Sequence, residues 1–332
     1  MKIFFQLLSR WYQDLASFCP KPYPGLSKDE TFLVTGHRGA AAYEVENTIN
    51  ACEKALLKYN ANALEIDICF TKDKQAVLWH DWDPDEVKSL LRQAGLEPCV
   101  KYKPRVPSES KYRQPVHKLT LAELREHYGY SNKRKWAWKI HAHIPTLQEF
   151  MEWAQDKDSL KCVFLDLKAS KDEIHLLGNI ITEIKKLRQR YRPGYQIVIM
   201  TPDEVVLKKM QSLYPGAEYA LDSLLPYGLV LDPESYSSVK KAKKAGTAIA
   251  SAGRPIVFNV SPWTSYRRMV QHDVLWLSTH DRKKYNIKKI ICWTINKKKE
   301  MRCLLKLGVN GIISDYPKKL SKQARKAGEK SA

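Results

Sequence analysis

Residues 34–81, VTGHRGAAAYEVENTINACEKALLKYNANALEIDICFTKDKQAVLWHD, decide how the chain is read. An apolar run at 31–35 predicts a buried strand that stops at Gly36-His37-Arg38-Gly39. Glycines permit a sharp turn there and leave His37 and Arg38 at the strand's C-terminal mouth. A helix is predicted next, capped by Asn47 or Thr48 and carrying spaced apolar residues down to Leu57. Residues 63–68 predict a second strand. Its period of two sets Glu65 and Asp67 on one face and Leu64, Ile66 and Ile68 on the other. Residues 77–81 predict a short strand ending at His80 and Asp81.

The carboxylate pair carries chemical information. Two acids on one face of a buried strand repel each other and resist leaving water. A hard divalent cation relieves both costs and prefers oxygen ligands. Taken singly, a strand histidine is more often structural and Glu-x-Asp is common. Two histidines, an arginine and two acids at strand ends within one short segment are much harder to obtain by accident.

Downstream, residues 161–168 (KCVFLDLK) predict a strand with Asp166 and Lys168 on one face. Strand and helix then alternate. Strands are expected at 196–200, 217–221, 256–260, 289–295 and 311–314, and helices at 172–191, 203–213, 233–244, 266–278 and 297–307. With the strands at 31–35, 63–68 and 161–168 this makes eight βα units, the short strand before His80 being counted in the second loop. Such alternation predicts a parallel sheet closed as a (β/α)8 TIM barrel, with its active site at the C-terminal strand ends. His37, Glu65, Asp67, His80, Asp166 and Lys168 all fall at or near such ends. Residues 82–145 interrupt the pattern, with helices expected at 85–94 and 119–127 and a basic, aromatic end at 133–143. There His141-x-His143 has no further ligand beside it. Thr146 and Glu149 have the spacing of a capping box opening the next helix.

His37-Arg38-Gly39, Glu46-Asn47-Thr48, Glu65-x-Asp67, Thr71-x-Asp73 and His80-Asp81 resemble, in order and spacing, the signature of the glycerophosphodiester phosphodiesterase family. The segments 292–296 (CWTIN) and 308–317 (GVNGIISDYP) also match, so the resemblance spans about residues 32–317. The chain departs from the family at Val45, where proline is usual, at Lys74, where glycine is usual, and at Asp166, where glutamate is commoner. The resemblance implies a TIM barrel with a subdomain inserted after the second strand. It implies a divalent metal, Mg²⁺ or Ca²⁺, on Glu65, Asp67 and Asp166. It implies an acid–base pair in His37 and His80, phosphate binding by Arg38 and Lys168, and Trp293 as a wall of the substrate pocket. The implied reaction is metal-dependent hydrolysis of a glycerophosphodiester to glycerol phosphate and an alcohol. Asp-x-Lys at 166–168 also resembles the related sphingomyelinase D-type phospholipases, so a lysophospholipase D activity is the first alternative. A catalytically inactive barrel that binds membrane or nucleic acid is the second, and a binder has no need of all seven polar residues.

Composition bounds the partners. The chain is 44% hydrophobic, enough for one large core, and carries a net charge of +20. Such charge favours anionic partners, including phosphorylated small molecules, lysolipids and anionic membrane. No helix-turn-helix or RNA-binding pattern supports nucleic acid. Seven scattered cysteines without a C-x-x-C pair predict reduced, packed thiols and a cytoplasmic setting. Residues 1–18 read as an amphipathic helix, too polar for a secretory signal or a membrane span. It either lies in a membrane interface or packs on the barrel. The expected organisation is therefore an amphipathic helix and linker at 1–25, a barrel at 26–317 and a basic tail at 318–332.

Overall fold

The computed structural model of the chain describes residues 19–20, 31–133, 139–140, 142–169, 171–224, 237–254, 266–279 and 287–328. The expected N-terminal helix at 1–18, the strand at 256–260, Trp136, Trp138 and His141 lie outside the described residues. Strand β1 (Leu33–His37) pairs in parallel with both β2 (Ala63–Phe70) and the last strand, β12 (Gly311–Ser314), and this double pairing closes the sheet. Between them lie β7 (Cys162–Leu167), β8 (Gln196–Thr201), β9 (Glu218–Leu224), β10 (Ile249–Gly253) and β11 (Lys289–Trp293). The result is an eight-stranded parallel barrel. A short β3 (Ala76–Leu78) runs antiparallel along β2.

Helices cover the outside. Helix α1 (Ile49–Glu53), continued by a π-helical turn at Lys54–Lys58, follows β1; Thr48, not Asn47, caps it by accepting the Ala51 N–H. Helices α4 (Leu147–Ala154), α5 (Leu177–Tyr191), α6 (Glu204–Leu213), α7 (Ser238–Ala245), α8 (Tyr266–Thr279) and α9 (Lys298–Leu307) lie between successive strands. The basic C-terminal stretch forms α10 (Pro317–Lys326), which buries Leu320 and Ala324. Apolar side chains of the strands and helices form the main core around the barrel. Leu33, Phe164, Val198, Met200, Ile249, Ile291 and Ile313 fill its interior. The barrel is thus packed inside, and only its strand ends are left to carry chemistry.

The insertion is a small unit with its own core. It contains α2 (Val87–Gln93), α3 (Leu121–His127) and an antiparallel sheet of β4 (Tyr102–Arg105), β5 (Gly129–Asn132) and β6 (Lys139–Ile140). Trp79, Val116, Leu124, Tyr128 and Tyr130 pack together beneath it. Thr120 with Glu123, and Thr146 with Glu149, form capping boxes on α3 and α4.

Two expectations are corrected. The barrel strand expected at 256–260 is Ile249–Gly253, whose Ala, Ser and Gly lack the bulky β-branched look of a strand but pair with β9 and β11. The cysteines are not all reduced. Cys19, ahead of β1, is disulfide-bonded to Cys303 on α9, across a sequence separation of 284. Spacing alone cannot reveal such a pair. Cys52, Cys69, Cys99, Cys162 and Cys292 are outside any disulfide. Among the described residues, no helix is long and apolar enough to cross a membrane.

Candidate active site

Strand register brings the acids together. Asp67 of β2 lies directly beside Asp166 of β7, and His37 of β1 lies beside Glu65 of β2. Since Glu65 and Asp67 are two residues apart, all three acids point to one side at the C-terminal end of the barrel. One carboxylate oxygen from each of Glu65, Asp67 and Asp166 lies within 4.8 Å of the others. Burial, then the neighbouring charge of Asp67, pushes the Glu65 carboxyl up to about 8. Burial would raise Asp67 as well, but Lys168 and Arg38 outweigh it and hold its carboxyl low. Asp166 keeps a buried Oδ1 without a hydrogen-bond partner. A buried, crowded carboxylate trio with an unsatisfied oxygen fits an oxygen-preferring divalent cation.

The turn after β1 is built for close approach. A Cβ on Gly36 would sit 2.1 Å from the Gly39 carbonyl oxygen, and Gly39 has φ +80°. Arg38 adopts φ 48° and its N–H donates to Glu65 Oε2 at 2.8 Å. Its guanidinium meets three acids: Nη1 lies 2.7 Å from Glu46 and 3.1 Å from Glu97, and Nε lies 2.9 Å from Asp67. Arg92 of α2 meets Glu46, Glu97 and Asp81, the last at 2.7 Å. Two buried arginines and shared acids thus lock the inserted subdomain onto the β1 turn. The Glu46-Asn47-Thr48 motif gains a physical meaning here. Glu46 joins the arginines, Asn47 donates to Asp67 Oδ2 at 2.8 Å, and Thr48 caps α1.

The two histidines differ. His80 is buried, its Nδ1 is 2.6 Å from Asp81 Oδ1, and its Nε2 has no partner. Burial first, then Arg38 and Arg92, hold its pKa well below the usual imidazole value. His37 Nδ1 is 2.6 Å from Asp315 Oδ1, and its Nε2 is 3.8 Å from Glu65. Burial and Arg38 would lower its pKa, but Asp315 and Glu65 prevail and raise it. Asn296 positions Asp315, donating to Oδ2 at 2.5 Å and accepting the Asp315 N–H at 3.0 Å. Lys168 lies 3.1 Å from Asp67 Oδ1 and against Asp166 Oδ2, and these acids overcome burial to hold it charged.

On the opposite wall, Trp293 Nε1 donates to Ser251 Oγ at 2.8 Å, and Ser251 Oγ donates to Asp222 Oδ1 at 2.9 Å. Burial, then Asp166, pushes Asp222 up to about 7. The structure therefore gathers His37, Arg38, Glu65, Asp67, His80, Asp166 and Lys168 at one mouth, with Trp293 on its wall. Sequence reasoning missed Arg92, Glu97, Asp222 and Ser251. Asp222 had a usable signal, an acid near the end of a predicted strand; Arg92 and Glu97 had none.

The family model for the glycerophosphoryl diester phosphodiesterase family matches residues 37–319. A glycerophosphodiester phosphodiesterase of Caldanaerobacter subterraneus subsp. tengcongensis is 27% identical over 301 residues, covering 89% of this chain and 99% of that protein. A glycerophosphodiester phosphodiesterase structure from Parabacteroides distasonis superposes with a TM-score of 0.60 at 18% identity, covering 91% of this chain and 100% of that one. An Oleispira antarctica phosphodiesterase, solved with its product sn-glycerol-3-phosphate, superposes with a TM-score of 0.59 at 18% identity, covering 89% and 97%.

Proposed function

The chain belongs to the glycerophosphoryl diester phosphodiesterase family and is a phosphoric diester hydrolase, and we propose that it cleaves glycerophosphodiesters to glycerol phosphate and an alcohol with a divalent cation held by Glu65, Asp67 and Asp166. The observation that carries this reading is the trio itself. Its oxygens lie within 4.8 Å of one another beside two histidines in opposite electrostatic settings. Mg²⁺ and Ca²⁺ both suit an all-oxygen set. When bound, the cation supplies Lewis-acid polarisation of a phosphoryl oxygen.

The chain's own residues move the protons. His80 donates Nδ1–H to Asp81, which leaves the Nε2 lone pair as a base. It takes the proton of the substrate's neighbouring glycerol hydroxyl as that oxygen attacks phosphorus. His37, kept protonated by Asp315, gives a proton to the departing alcohol. The P–O bond to the alcohol breaks, and a cyclic glycerol phosphate forms. Water then opens the ring. His37 takes the water proton and His80 returns its proton to the glycerol oxygen, which restores both. Lys168 offsets charge on the phosphoryl oxygens, and Trp293 packs against the organic group.

The product in the Oleispira neighbour supports glycerol phosphate as the end point for this chain. Phosphorus NMR of glycerophosphocholine turnover tests the scheme. Glycerol phosphate preceded by a transient cyclic phosphate resonance is expected. Persistent starting material, or choline phosphate as product, contradicts it.

A further inference from the structure

The net charge of +20 is not spread evenly over the barrel. Helix α4 exposes Glu152 and α6 exposes Glu204, so those faces carry acids. From α7 to α10, exposed cations meet no exposed acid among the described residues. Helix α7, SVKKAKKA, exposes lysines and contains no acid. The acid of α8, Asp273, is buried and accepts hydrogen bonds from the Ser238 N–H at 3.0 Å and the Ser238 hydroxyl at 2.6 Å. The acid of α9, Glu300, is buried too and meets Arg254 at 2.9 Å. Helix α10, PKKLSKQARK, has no acid.

Helices α9 and α10 pack against each other, and each presents its cations as one stripe. Met301, Leu304 and Leu305 of α9 and Leu320 and Ala324 of α10 fill the inner faces. Lys298, Arg302 and Lys306 are exposed on α9, and Lys318, Lys322 and Arg325 on α10. Such three- and four-residue spacings set each trio on one side of its helix, along a stripe of roughly 10–12 Å. Packed helices stand about 8–10 Å apart, so the two stripes form one face. Among the described residues none of these cations is paired with an acid. Like charges held so close repel one another and gain from a surface of opposite sign. Both stripes start at the barrel mouth. Lys298 comes just after Asn296 and Lys318 just after Asp315, and Asn296 and Asp315 are the pair that supports His37.

We propose that the α9–α10 face docks the protein on an anionic lipid bilayer, with the barrel mouth opening beside the lipid head groups. The stripes form the convex outside of two helices, with no groove for a nucleic-acid strand to follow. Neither helix contains an aromatic residue on which bases could stack. Lysine-rich faces are instead drawn to the negative potential of anionic head groups, which falls off within a Debye length. The disulfide between Cys19 and Cys303 of α9 ties the end of the 1–18 sequence to the same helix. That sequence combines Phe4, Leu8, Trp11 and Leu15 with Lys2 and Arg10, a composition suited to a bilayer interface. Docking is separate from the hydrolysis proposed above and stands whichever diester is cleaved.

The test is co-sedimentation of the whole protein with vesicles of phosphatidylcholine alone and of phosphatidylcholine mixed with phosphatidylglycerol, at low and high salt. One variant combines Arg302→Glu, Lys306→Glu, Lys322→Glu and Arg325→Glu. A control combines Lys186→Glu, Arg190→Glu, Lys208→Glu and Lys209→Glu, exposed positions on α5 and α6 across the barrel, with the same change in net charge. Wild type should bind the phosphatidylglycerol vesicles only, and high salt should release it. The face variant should bind them ~10-fold or more weakly, and the control within about threefold of wild type. A face variant with glutamine at the same four positions should also lose binding, which covers a glutamate variant that fails to fold. No binding by wild type overturns the proposal. So does equal loss in the face variant and the control, which would make net charge alone responsible. Binding of duplex DNA that depends on this face, without binding to vesicles, rejects the bilayer in favour of nucleic acid.

Discussion

Asn47 and Asp67 hold each other by two hydrogen bonds. The Asn47 side-chain amide donates to Asp67 Oδ2 at 2.8 Å, and the Asp67 backbone N–H donates to Asn47 Oδ1 at 3.1 Å. The contact spans from the loop after β1 to the middle of the carboxylate trio, and Asn47 makes it with φ 55°, a conformation asparagine tolerates. It fixes the rotamer of a proposed metal ligand, and outer-shell groups of this kind commonly contribute 10–100-fold to metal affinity or activity. Asn47→Gly keeps the backbone and deletes the clamp. Its kcat/KM should fall by about 10–100-fold, with more Mg²⁺ needed for half-maximal rate. Asn47→Asp should be worse, since it sets a second carboxylate against Asp67.

The arginine lattice makes a stability prediction. Removing one partner of a buried ion pair leaves an uncompensated charge and costs about 3–5 kcal/mol. Arg92→Met strips Glu46, Glu97 and Asp81 of a shared counter-ion. Urea unfolding should show a loss of that size, ~3 kcal/mol or more. A loss under ~1 kcal/mol, typical of exposed pairs, would mean that the lattice is not buried in solution.

The histidines predict a two-sided pH profile. His37→Ala and His80→Ala should each lower kcat by ~10²–10⁴ with folding intact. The base must be neutral and the acid protonated. The acid limb of kcat/KM should therefore report His80 and the alkaline limb His37. Wild-type-like turnover in both variants would remove them from the reaction.

Glu65 links stability to pH and metal. Its carboxyl is raised by burial and by Asp67 to about 8 in the folded chain, against ~4.3 for an unperturbed glutamate. The folded state then binds more protons than the unfolded one between those values. On this group's account, metal-stripped protein loses stability as pH rises through that window. A cation needs the ionised form, so the rise in melting temperature on adding Mg²⁺ should be larger at pH 8 than at pH 6. An equal rise at both pH values would place the cation elsewhere.

Local patterns account for what was readable in the chain. Alternation at 63–68 and 161–168 set Glu65 beside Asp67 and Asp166 beside Lys168, and the register of β2 with β7 then joins the two pairs. The capping boxes at Thr120 and Thr146 follow from spacing alone. What stayed hidden depends on distant partners. Residues 249–253 form a strand because β9 and β11 flank them, which side-chain preference does not show. Arg92 and Glu97 sit in an irregular insertion, and only folding brings them to Glu46 and Arg38. Asp315 was visible within a matched segment, but its role required seeing it 2.6 Å from His37.

The measurement that bears most directly on the function is choline release from glycerophosphocholine and from lysophosphatidylcholine, side by side, each with Mg²⁺, Ca²⁺ and EDTA. Release from glycerophosphocholine that depends on a divalent cation and stops with EDTA, with the lysolipid turned over far more slowly, is the result expected here. Release indifferent to EDTA, or no release from glycerophosphocholine by folded protein, would contradict it.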